Sequence, residues 1–171
     1  MEESVVLVNE DDTVIGTMEK MKAHRLGLLH RAFSIFLFDK QGNMLLQKRA
    51  REKYHSPNLW TNAVCSHPRE NETYKDAAIR RLREELGIET LLTERFHFIY
   101  KAEVDGGLWE HELDYVFTGI YNGEFQLNPK EVSEVRYISM ENLDKELKDH
   151  PEHFTEWFKI ILGKSRDKIN V

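Results

Sequence analysis

Arg80-Arg81-Leu82-Arg83-Glu84-Glu85-Leu86-Gly87-Ile88 is the stretch from which the fold is read. It closes an amphipathic helix. Ala78, Leu82 and Leu86, with Ile79 beside them, fall on one apolar stripe at helical spacing. Thr73 and Asp76 have capping-box spacing, and Gly87 suits the left-handed residue that stops a helix. The pattern predicts a helix over Tyr74–Leu86. Arg81 and Glu85 stand four apart, on one face. One reading is an exposed helix laced with ion pairs. The other is a working face, with Glu85 offering oxygen to Mg²⁺ and Arg81 meeting a phosphate.

Upstream, Phe33, Ile35 and Leu37 alternate with Ser34, Phe36 and Phe38, which predicts a strand buried on both sides. The turn residues Asp39-Lys40-Gln41-Gly42-Asn43 then lead to Met44–Lys48, read as the second arm of a β-hairpin. Before it, Ser4–Val8 and Val14–Met18 flank a turn at Asn9-Glu10-Asp11-Asp12. Downstream, strands are expected over about Phe96–Val104, Leu108–Tyr121 and Val135–Ser139. Helices are expected over about Met140–Lys148 and Glu152–Leu162, separated by Pro151. Strands with interspersed helices give an α/β or α+β sandwich.

Three further clusters carry chemistry. In Trp60-Thr61-Asn62-Ala63-Val64-Cys65-Ser66-His67-Pro68, an extended backbone points Cys65 and His67 the same way. A thiol beside an imidazole is either a reactive pair or, more blandly, a buried inert cysteine near a histidine. In Trp109-Glu110-His111-Glu112-Leu113-Asp114, a strand puts Glu110, Glu112 and Asp114 on one face. Three carboxylates in a row call for a cation, unless the strand is an edge with a solvated acidic face. His24 and His30 bracket Arg25-Leu26-Gly27-Leu28-Leu29. Singly each reads as an ordinary surface or hydrogen-bonded histidine; with His67, Glu110 and Glu112 they supply three imidazoles and two carboxylates, a set suited to a six-coordinate divalent ion. Lys20, Arg49 and Lys53 each read singly as solvated surface groups; together they offer the local positive charge an acidic protein needs to hold a diphosphate.

Composition narrows the class. The 171 residues carry 24 Lys plus Arg against 30 Asp plus Glu, a net charge of −6, with 40% hydrophobic and 32% charged residues. That is globular composition, and one domain over residues 1–171 is expected. The acidic balance argues against nucleic acid as partner, and no apolar run approaches the roughly 20 residues that span a bilayer. One cysteine excludes an intramolecular disulfide framework. Glu2 and Glu3 stand where a signal peptide would be basic, so a cytoplasmic setting is expected.

The nine residues at 80–88 resemble the second half of the Nudix box, and Glu72 matches the position of that family's first glutamate. Trp60–Pro68 and Trp109–Phe117 look like the cysteine and paired-glutamate motifs of the type I isopentenyl-diphosphate Δ-isomerases, a Nudix-fold family. The similarity runs from Met18-Glu19-Lys20 to Trp157. Asn62–Pro68 combined with Glu110-x-Glu112 is the specific signature; the helix alone is less so. Two departures from the hydrolase box stand out: Ser66 replaces its leading glycine, and Arg81 replaces a glutamate. A lost carboxylate weakens a hydrolytic Mg²⁺ centre, and a gained cation favours holding a diphosphate over cleaving it.

The resemblance implies a Nudix-type mixed β-sheet sandwich flanked by helices. It also implies interconversion of isopentenyl and dimethylallyl diphosphate, small-molecule substrates of isoprenoid biosynthesis. Cys65 and Glu112, the latter through Tyr100, are the expected proton-transfer groups. His24, His30, His67, Glu110 and Glu112 are expected to hold Mn²⁺, Zn²⁺ or Mg²⁺, and Glu85 a Mg²⁺ that bridges to the diphosphate. Lys20, Arg49, Lys53 and Arg81 are the expected diphosphate contacts. Trp157 is either an indole face for the developing cation or an anchor of the last helix beside Phe154, Phe158 and Ile161. The rival functions are a Nudix hydrolase of a nucleoside diphosphate derivative, working through Glu84 and Glu85, and a non-catalytic diphosphate-binding module.

Overall fold

The computed structural model describes residues 3–169. Its first half runs β1 (Ser4–Val8), β2 (Val14–Glu19), α1 (Lys20–Leu26), β3 (His30–Phe38), β4 (Met44–Arg49), β5 (Trp60–Thr61), β6 (Val64–Ser66) and α2 (Tyr74–Leu86). The second half runs β7 (Thr93–Val104), β8 (Leu108–Ile120), β9 (Val132–Ile138), α3 (Met140–Asp149) and α4 (Glu156–Ile169). The result is the expected mixed sheet between helical layers.

β3 is the spine. It pairs in parallel with β8 from His30↔Glu112 to Phe38↔Ile120, and antiparallel with β6 through Ser34↔Cys65. Its alternation serves two cores. Phe33, Ile35 and Leu37 pack with Ala77, Ala78, Leu82 and Leu86 of α2. Phe36 and Phe38 pack with Leu143 of α3 and Phe158 and Ile161 of α4. Each fully buried side chain of this size contributes about 1.5–3 kcal/mol from burial alone. The site therefore stands on a rigid strand.

α2 forms over the predicted residues. Thr73 Oγ1 accepts the Asp76 N–H at 3.0 Å, and Gly87 at φ 66° ends the helix with its N–H on the Arg83 carbonyl. The expected β3–β4 hairpin is corrected. The turn forms, with Asp39 Oδ1 accepting the Gln41 and Asn43 N–H groups, yet the strands pair only at Phe38↔Met44. Beyond that they splay, because β3 is taken by β6 and β8 while β4 pairs along its length with β9.

The last helix also starts later than expected. Pro151–His153 is a single 3₁₀ turn, and Phe154 then bridges to Trp60 while the Thr155 N–H donates to the Trp60 carbonyl at 3.0 Å. Helix α4 begins at Glu156, which sets Trp157 in its first turn. α1 has no counterpart in the sequence reading. Its seven residues are too few to show periodicity, and it is held by Glu19, whose carboxylate accepts the Met21 and Lys22 N–H groups.

Candidate active site

β8 lies between β7 and β3, so the solvated-edge reading of its carboxylates fails. Glu110, Glu112 and Asp114 share a face and all are buried. Their partners differ. Asp114 Oδ2 accepts the Ser34 hydroxyl at 2.8 Å, while Glu110 and Glu112 meet imidazoles. His30 Nε2 and His67 Nε2 stand 3.2 and 2.9 Å from Glu112 Oε2, and His24 Nε2 stands 3.4 Å from Glu110 Oε1. One donor atom from each of these five residues lies within 4.8 Å of all the others.

The donor chemistry fits a divalent ion. His24 Nδ1 is 2.7 Å from the Lys20 carbonyl and His30 Nδ1 is 2.8 Å from the Leu28 carbonyl. A carbonyl only accepts, so each Nδ1 carries the proton and each Nε2 turns its lone pair into the cluster. His24 Nε2 is buried there with no hydrogen-bond partner. Burial pushes the His67 imidazole down to about 4, against the pull of Glu112, which leaves it neutral near pH 7. The left-handed Gly27 ending α1 turns the chain so that the His24 and His30 rings sit 5.0 Å apart.

Cys65 and His67 border one cleft together with Glu110 and Glu112, as the alternation predicted. The thiol is held on several sides. It donates to Asn62 Oδ1 at 3.1 Å, Ser34 Oγ is 3.6 Å away, and Trp157 Nε1–H donates to the sulfur at 3.0 Å. The Asn62 amide is itself fixed by the Ile35 and Val64 carbonyls. Burial pushes the thiol pKa up, with Asp114 adding to the effect. Tyr100 sits opposite Glu112 in the β7–β8 register, and its hydroxyl bonds Glu112 Oε1. Trp157 borders the cleft, whereas Phe154, ahead of α4, and Phe158 and Ile161 within it pack into the core. One indole face carries the Arg49 guanidinium at 5.1 Å.

Lys20, Arg49, Lys53 and Arg81 line a second cleft that shares Cys65, Ser66 and His67 with the first. Four cations thus face one space beside the thiol. Each has local counterions or acceptors. Lys20 meets Glu3 at 2.8 Å and Lys53 meets Glu131 at 2.5 Å. Arg81 reaches Glu84, Glu85 and Glu131 at 2.7, 2.9 and 3.3 Å. Glu85 is buried and stands outside the five-donor cluster, its other oxygen 3.2 Å from Gln47 Nε2. The exposed-helix reading of Arg81 and Glu85 therefore fails. Glu72 accepts Arg80 at 2.8 and 2.9 Å, and Arg80 also reaches the His67 carbonyl at 3.4 Å.

Several site residues escaped the sequence reading. Tyr54 and His55 gave no periodic or motif signal, Asn62 stood inside a quoted motif with no role assigned to it, and Glu3 and Glu131 meet the cleft only through the tertiary fold. Asp114 was visible as the third carboxylate, but Ser34 as its partner was not.

A mixed sheet of this order, with a glutamate-rich helix on one face, defines the class: the NUDIX domain family matches residues 28–158. Solved structures agree at the level of fold. A Deinococcus radiodurans protein superposes at a TM-score of 0.79 with 22% identity, covering 96% of this chain and 100% of that one. A MutT protein from Methanosarcina mazei Go1 gives 0.65 with 17% identity, covering 81% and 94%. Within that class the chain belongs to the isopentenyl-diphosphate Delta-isomerase family. The Aliivibrio fischeri (strain MJ11) isopentenyl-diphosphate Delta-isomerase is 49% identical over 172 residues, covering 96% of this chain and 95% of the relative. The enzyme of that name from Serratia proteamaculans is 46% identical, covering 95% and 90%.

Proposed function

We propose that this protein isomerises isopentenyl diphosphate to dimethylallyl diphosphate, and the reverse, by moving one proton onto and another off a five-carbon chain. A proton adds to the terminal alkene carbon and leaves a tertiary, cation-like centre. Loss of a proton from the carbon on the diphosphate side then places the double bond at its new position. Protons and charge balance without any oxidant or second substrate. The observation that carries this reading is the joining of two clefts: an acid–base pair, Cys65 and Glu112, beside a space lined by four cations.

In this reading Lys20, Arg49, Lys53 and Arg81 take the diphosphate, displacing carboxylate partners with a more highly charged anion. Its binding leaves the hydrocarbon end between Cys65 and Glu112. Tyr100 holds one Glu112 oxygen and relays a proton to or from it. Asn62 and the Trp157 indole N–H aim the thiol, and Trp157 walls the space where positive charge develops. Cys65 and Glu112 exchange roles in the reverse reaction.

His24, His30, His67, Glu110 and Glu112 would hold the resident divalent ion, for which three imidazoles favour Mn²⁺ or Zn²⁺ over Mg²⁺. Such an ion supplies a fixed positive charge that neutralises the paired carboxylates and tunes the proton affinity of Glu112. Glu85 is the hard oxygen donor proposed for a Mg²⁺ that arrives with the diphosphate. The protein is also proposed to act in the cytoplasm as a single domain without nucleic-acid partners. Among the described residues no helix is long and apolar enough to cross a membrane.

The test is incubation with isopentenyl diphosphate and a divalent ion, followed by assay of both acid-labile allylic product and free phosphate. Allylic product without phosphate is expected. Phosphate release without isomer would instead assign the fold to a hydrolase.

A further inference from the structure

The loop from Arg51 to Leu59 contributes a buried side chain that the mechanism leaves unused. His55 is 2% exposed, and its Nε2 stands 2.6 Å from Glu110 Oε1 without the alignment of a finished hydrogen bond. It is not a sixth ligand. Opposite donors around a small divalent ion lie about 4.2 Å apart, and His55 falls outside the group whose donor atoms lie within 4.8 Å of one another.

The ring is fixed from several directions. Tyr54 packs edge-on at 4.3 Å, Trp157 does so at 5.6 Å, and Nδ1 is 3.0 Å from the Ser56 hydroxyl. The backbone around it is tied as well. Ser56 adopts φ 49°, a left-handed conformation unusual for serine, and its N–H donates to Asp105 Oδ1 at 2.8 Å in the β7–β8 turn. Arg49 donates to the His55 and Ser56 carbonyls at 3.0 and 3.2 Å. The same loop carries Lys53 and Tyr54 into the cationic cleft.

We propose that His55 is a positioning residue that orients Glu110 toward the divalent ion and couples that ion to the loop bearing Lys53 and Tyr54. The proposal rests on the metal reading of the five-donor cluster. Groups that orient a ligating carboxylate typically contribute about 10–100-fold to metal affinity. Coupling through the loop adds a second effect, on the grip of the diphosphate cleft.

Mn²⁺ titration, with free ion followed by electron paramagnetic resonance, separates the two claims. The parent should bind one tight Mn²⁺ per chain; if it binds none, the metal reading itself fails. His55→Ala should bind Mn²⁺ about 10–100-fold more weakly, and His55→Gln, which keeps an N–H donor, should recover most of the loss. At saturating Mn²⁺, His55→Ala should raise KM for the diphosphate substrate several-fold while kcat changes little. Asp105→Ala, which removes the carboxylate that accepts the Ser56 N–H and does not touch His55 or Glu110, should reproduce the KM effect and retain parent-like Mn²⁺ affinity. Circular dichroism establishes that each variant is folded. Parent-like Mn²⁺ affinity in folded His55→Ala overturns the proposal and leaves the metal site standing. Loss that His55→Gln does not recover reduces His55 to a packing residue.

Discussion

At Cys65 a carboxamide, a hydroxyl and an indole N–H converge on one sulfur. Cys65→Ser keeps nearly the same volume, so the variant should stay folded and metal-bound. A hydroxyl exchanges protons far less readily than a thiol near neutral pH, so turnover should fall by about 10²–10⁴-fold, measured as allylic product formed. Parent-like turnover would make the cysteine a packing residue. His67→Ala should act on a different quantity. It removes one of three imidazoles from the cluster, so bound divalent ion in the folded protein should drop sharply by metal analysis, and an unchanged metal content would break the five-ligand assignment. These residues were legible in sequence because their chemistry is rare and their spacing strict. The contacts around them were not: Asn62 opens the quoted motif, but that it and Ser34 meet the thiol follows from the tertiary fold and the Ser34↔Cys65 strand register.

Among the elements, α2 was the most legible, since its stripe, cap and stop are all local. Its end carries a testable constraint. Gly87 sits at φ 66°, and a Cβ there would lie 2.7 Å from the Gln126 carbonyl oxygen and 2.7 Å from its Cβ. Gly87→Ala should therefore cost about 2 kcal/mol or more, read from the urea midpoint, since strain and a backbone clash add. Gly106 has φ 77° with nothing within 4 Å, so Gly106→Ala should cost only about 1 kcal/mol. Equal losses would contradict the packing of α2 against residue 126. What local pattern did not reveal were non-local choices. The β3–β4 turn looks like a hairpin because the turn chemistry is complete within five residues, yet distant strands β8 and β9 claim the edges. Pro151 likewise reads as a break with a helix following at once from Glu152, while the Phe154–Trp60 bridge delays α4 until Glu156.

Across the whole molecule, carboxylates paired with cations tie the helical layer, the N-terminal segment and the cleft together. Arg80 holds the Glu72 carboxyl below its usual range. Burial opposes charge on Glu3 and Glu131, but Lys20 and Lys53 outweigh it, taking Glu3 to about 2 and Glu131 below its ordinary value. A pKa lowered by folding stabilises the folded state fully above the unfolded value near 4.5, and that stability is lost as pH falls through the folded value. The thermal midpoint should thus decline steeply between about pH 5 and pH 2, and Glu72→Gln should flatten part of that slope. A midpoint that is level over this window would show that these pairs do not contribute to folding. By the reading proposed above, one cleft moves protons across a bound five-carbon diphosphate without cleaving it. Turnover of isopentenyl diphosphate in D₂O tests it most directly. Product analysed by mass and by position should carry deuterium in the methyl group formed from the alkene terminus, with no phosphate released. Allylic product free of solvent deuterium, or phosphate in place of that product, would rule out proton transfer by this cleft.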